Sequence, residues 1–129
     1  MLARYKIHRG KRPAADPLPD GIRQDTRKRS RHRLRPPTEL VTALLAQPPA
    51  ISWEEFADGY LQTLQARYED DAAAFNQLAE LAVERNVYIG CSCPTIKHPD
   101  VNRCHTVLGL HFMEEHYPML TVEFPRADP

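Results

Sequence analysis

The chain has 129 residues, 42% of them hydrophobic and 26% charged, which suits one soluble domain with a single modest core. No apolar run approaches the ~20 residues that span a bilayer. The basic N-terminus lacks the apolar centre of a secretory signal, so a cytoplasmic location is expected.

The formal net charge of zero hides a split. Residues 1–37 carry twelve Lys and Arg against three Asp, a net of +9. Residues 38–129 carry five Lys and Arg against fourteen Asp and Glu, a net of −9. Two readings compete. In the first, favoured slightly, the basic segment docks on the acidic helices of its own chain. In the second it presents cations to a polyanion.

Leu2 to His8 alternates apolar and polar residues and predicts a first strand. Residues 9–20 hold three prolines and a glycine and read as a loop. Ile22 to Thr26 reads as a short strand. Residues 27–35 are Arg, Lys or His apart from Ser30 and Leu34, and end at Pro36-Pro37. With almost nothing apolar to bury, that segment must be anchored by its neighbours or be mobile.

Thr38 is a candidate N-cap for a helix over 39–47, stopped by Pro48-Pro49. Ser52 and Glu55 form a capping-box pattern. Trp53, Phe56, Tyr60, Leu64 and Tyr68 then follow at helical spacing, and Glu69-Asp70-Asp71 marks a break. A helix over 72–85 comes next. Val87 to Cys91 reads as a buried strand. Asn102 is a candidate cap for a helix from Arg103 to His116, and Pro118 stops it. Met119 to Phe124 reads as a last strand, with a frayed tail from Pro125. Helices separating strands predict a small three-layer, Rossmann-like α/β domain with a short, largely parallel sheet and about four helices.

All three cysteines, Cys91, Cys93 and Cys104, lie between one predicted strand and the next helix. An odd number of cysteines without a spaced framework predicts free thiols, metal ligands or reactive groups rather than structural bridges. At a helix start, unpaired N–H groups and the positive dipole end favour an anion, whether a thiolate or a bound phosphate. Cys104 is therefore the candidate nucleophile and His105 the candidate acid and base. The bland alternative, a small buried Cys91 and an inert Cys104, carries equal weight. The ligand types of Cys91, Cys93, His98 and Cys104 also suit zinc, but the spacing matches no paired knuckle.

The order Lys6-Ile-His-Arg9, Asp20-Gly21-Ile-Arg23, Asp25-Thr-Arg27, Ser52-Trp53-Glu-Glu-Phe56, Tyr60, and a strand ending in Cys91 before Cys104-His105 resembles the domain-of-unknown-function 488 family of small bacterial proteins. The resemblance spans nearly the whole chain. It implies a Rossmann-like α/β domain with its site near Cys104. Members commonly carry Arg after the Cys-His pair, where this chain has Thr106.

Three functions follow as expectations. One is an enzyme or binder for a small anionic ligand such as a nucleotide, with Cys104 and His105 as the chemistry and Asp25, Arg27, Asn102 and Arg103 around the anion. Another is a nucleic-acid-associated module gripping phosphates through Arg27, Lys28, Arg29, Arg31 and Arg33. The last is a zinc-stabilised interaction module. No membrane partner is expected.

Overall fold

A computed structural model describes residues 1–125. The predicted tail beyond Pro125 lies outside the described residues. Three strands form one parallel sheet: β1 (Leu2–Lys6), β2 (Ile22–Asp25) and β3 (Val87–Cys91). Their order is β1-β3-β2, so the last strand in sequence is central. Leu2 and Ile22 both align with Val87, which sets the register.

Four helices complete a small α/β domain: α1 (Thr38–Leu45), α2 (Trp53–Asp70), α3 (Ala73–Glu84) and α4 (His105–His116). The α2 start has the expected capping box. The Glu55 amide donates to Ser52 Oγ at 3.0 Å, and the Ser52 amide donates to Glu55 Oε1 at 3.1 Å. Phe56, Tyr60 and Leu64 then fall on its buried face. They share one core with Phe75 and Leu78 of α3, Leu110 and Met113 of α4, and Leu2, Val87 and Ile89 of the sheet. Gly109 lets α4 approach closely, because a Cβ there would lie 3.2 Å from Tyr60 Oη and 3.9 Å from Ile89 Cδ1.

The opposite sheet face meets the β1–β2 connection. Gly90 is required there, since a Cβ would fall 2.6 Å from the Tyr5 ring and 2.8 Å from Ile7 Cδ1. The Arg12 guanidinium lies 6.0 Å from the centre of the Tyr5 ring.

Three element boundaries differ from expectation, each for a local reason. Residues 119–124 do not form a strand. They make one parallel bridge, Leu2 to Val122, through the Leu2 amide to the Thr121 carbonyl (2.8 Å) and the Glu123 amide to the Leu2 carbonyl (2.9 Å). The next amide in that ladder would come from position 125, which is a proline and has none. Asn102 does not cap α4. Its amide donates to Asp100 Oδ1 at 3.0 Å, and the Arg103 amide donates to the Asp100 carbonyl at 3.0 Å, so a turn forms and the helix starts two residues later. Cys104 is the extended N-cap residue (φ −130°, ψ 142°). Thr38 is the first residue of α1, because Pro37 takes the capping position with its fixed φ of −58°.

The basic segment is anchored, though not by the predicted ion pairs with acidic helices. Among the described residues no ion pair joins residues 28–35 to a helix. Leu34 is buried instead, and its carbonyl accepts from Tyr60 Oη at 2.7 Å. Arg67 Nη1 donates to the carbonyls of Arg33 (2.8 Å) and Arg35 (2.7 Å). His32 donates through Nε2 to Gln24 Oε1 at 2.7 Å and accepts the Leu34 amide on Nδ1 at 3.1 Å. Burial, and next to it the charge of His105, push its pKa down to about 4.

Candidate functional site

Cys91 ends the central strand, Cys93 follows two residues on, and Cys104 leads into α4. The sheet and helix bring these positions together at the carboxyl ends of the parallel strands, where open α/β sheets hold ligands. All three are free thiols, and their Sγ atoms lie within 4.8 Å of one another. Cys91 and Cys104 are buried, while Cys93 is half-buried and forms the open side of the cluster.

The three thiols are not equivalent. Hydrogen bonds from Cys91 and Cys93, joined by one with His105, hold the Cys104 thiol well below the ordinary range despite its burial. Cys91 is pushed up by the hydrogen bonds it makes to Cys104 and Cys93, and by burial. Cys93 rises to about 11, with Cys104 as the main cause. Ionisation is therefore favoured at Cys104 over Cys91 and Cys93.

His105 is buried, and its surroundings fix which ring nitrogen faces Thr26. Nε2 lies 2.9 Å from the Thr26 carbonyl, which can only accept. Thr26 Oγ1, 3.0 Å from Nε2, spends its own hydrogen on the Gly90 carbonyl at 3.0 Å, so it too accepts. Nε2 therefore carries a proton, and Nδ1 is the ring nitrogen left for other partners. The Tyr60 ring meets the imidazole edge-on at 5.8 Å.

A second chain of donors ends on the same sulfur. Arg4 Nε donates to Thr106 Oγ1 at 2.9 Å, and Thr106 Oγ1 donates to Cys104 Sγ at 3.1 Å. Arg4 Nη2 also donates to the Cys93 carbonyl at 2.5 Å. Thr106 thus relays a guanidinium that comes from β1.

The predicted residues divide sharply. Asp25 and Arg27 pair at 2.9 Å on the rim, and Arg27 Nη1 reaches Ser92 Oγ at 3.5 Å, between Cys91 and Cys93. Partial burial acts to raise the Asp25 carboxyl, but its hydrogen bonds with Arg27 outweigh that and hold it below its usual range. His98 lies apart from the sulfurs on the exposed loop, with Arg103, and both line a separate cleft against Trp53 and Ile51. Asn102 is exposed. Arg29 and Arg31 are exposed and Lys28 and Arg33 half-buried on the basic segment.

Thr26, Arg4 and Thr106 contact the cluster or His105, and sequence reasoning does not single them out as site residues. Arg4 left one trace: it shares a strand face with Lys6 and His8 in the alternation of the first strand.

Fold and site together define a small parallel α/β domain with a buried thiol centre at the strand ends. The family model described as "Active DUF488-N3 subclade" matches residues 11–117. The chain belongs to this family. No curated protein and no solved structure matches it. No helix among the described residues is long and apolar enough to cross a membrane.

Proposed function

We propose that this chain is a thiol-dependent enzyme for a small anionic substrate, with Cys104 as its nucleophile. The observation that carries this reading is the convergence of two thiols, His105 and the Thr106 hydroxyl on one sulfur. Each contact favours the thiolate, which is the reactive form. In the step this allows, the Cys104 sulfur bonds to an electrophilic centre of the substrate and the leaving group departs with its electron pair. The proton that Cys104 gave to His105 then moves to the leaving group. Thr26 keeps the ring oriented throughout. The word "Active" in the description of the matched subclade agrees with this reading.

Alkylation by iodoacetamide across pH, with the modified cysteine read by mass spectrometry, tests it. Cys104 takes the label first, with a midpoint below the ~8.5 of an ordinary thiol. Cys104→Ser abolishes that fast phase, and Cys93→Ser retains it. Labelling confined to Cys93 at an ordinary midpoint would overturn the assignment.

The spacing of the three sulfurs favours one further reading. Three Cys ligands with an open fourth position suit zinc. His98 takes no part in that set. One zinc per purified chain, with a fall in thermal midpoint on chelation, would replace the nucleophile with a metal centre.

A further inference from the structure

A cavity of about 330 Å³ opens at the carboxyl end of β1. Its wall holds three cations, Arg4, Lys6 and Arg12, against one carboxylate, Asp16. That carboxylate is already engaged, with His8 Nε2 at 2.7 Å and Arg12 Nη2 at 3.3 Å. Pro94, the residue after Cys93, is part of the same wall.

We propose that this cavity is the phosphate subsite for the substrate of the thiol centre, and that Arg4, Lys6 and Arg12 are its ligands. The inference rests on the thiol reading above. Three observations support it. The cations come from the strand and from the following connection, and are not one charge run. Arg12 is held in place before any ligand arrives, since it donates to the Lys6 carbonyl (2.6 Å) and the Asp16 carbonyl (2.6 Å). A preorganised guanidinium loses little entropy on binding. Arg4 joins the cavity to the chemistry, because the same guanidinium reaches Cys104 through Thr106. A net excess of two positive charges matches a phosphate monoester dianion, and the volume admits that group with a short stem. A substrate phosphate bound here would lie one residue relay from the nucleophile.

The test compares an anionic and a neutral alkylating reagent on the full chain. The rate of Cys104 modification by iodoacetate, relative to iodoacetamide, is divided by the same ratio for glutathione. The expected result is a several-fold preference for iodoacetate, suppressed by inorganic phosphate. Lys6→Gln lowers the iodoacetate rate more than the iodoacetamide rate. Lys6 is the cleanest variant, because Arg12 also ties down the connection. A normalised ratio of one, no protection by phosphate, or a Lys6→Gln ratio equal to wild type overturns the subsite while leaving the thiol reading intact. If Cys104 reacts with neither reagent, the thiol reading fails instead. Titration with inorganic phosphate by calorimetry then judges the cavity alone: binding lost in Lys6→Gln upholds it, and no binding ends it.

Discussion

The thiol cluster and the arginine-rich segment are the two most conspicuous stretches of the sequence, and the fold treats them in opposite ways. The cysteines converge from a strand end, a loop and a helix start into one buried centre. The basic segment is held by its backbone carbonyls and by Leu34, with Arg29 and Arg31 left exposed. Unusual composition marked both. In the first, side chains from three elements converge on one another; in the second, side-chain contacts are confined to pairs such as Arg27 with Asp25 and His32 with Gln24. Convergence, more than residue type, separates a site from a solvated face.

The largest expected effect lies in the cluster. His105→Ala removes the base beside Cys104 and lowers its alkylation rate at neutral pH on the order of 100-fold. An unchanged rate, read by stopped-flow or mass spectrometry, would mean that the cluster is no more reactive than its neighbours and would erase the contrast.

The next effect lies in the basic segment and concerns stability. Neutral His32 bonds Gln24 and the Leu34 amide. The unfolded chain gains a proton near pH 6.5, while folded His32 resists it until about pH 4. Its stability contribution is therefore complete above pH 6.5 and is lost as pH falls toward 4. The loss is on the order of 3 kcal/mol. Urea midpoints measured at steps through that window give the slope, and His32→Gln flattens it. A slope unaffected by that substitution would place the anchoring of the segment elsewhere.

The smallest effect is expected from the exposed and half-buried charges of the basic segment. Arg27, Lys28, Arg29 and Arg31 replaced together by Ser should shift stability by no more than about 1 kcal/mol, since exposed pairs such as Asp25–Arg27 contribute little. The same variant examines the nucleic-acid reading: steeply salt-dependent binding in wild type, lost in the variant, would return function to this segment.

Much of the fold was legible because it is written locally. The capping box at Ser52 and the apolar spacing from Phe56 to Leu64 carry their own information. The last strand was illegible for the reason that it failed: a β pattern needs a partner, and Pro125 ends the ladder with Leu2. The α4 start was misread because Asp100, two residues upstream, captures the Asn102 amide. The site was half legible. Cys91, Cys93, Cys104 and His105 announced themselves by type and proximity in sequence. Arg4 and Thr26 are 102 and 79 residues from the groups they contact, so no local pattern could join them.

Thr26 stands just past the end of β2. Its amide donates to the Gly90 carbonyl at 3.1 Å as the last rung between β2 and β3, and its side chain and carbonyl hold His105. One residue thus serves as both a rung of the sheet and the hinge-pin of the imidazole. Slippage of the edge strand and misorientation of the imidazole are therefore one event, and fraying of β2 would disable the proposed base before the core is touched.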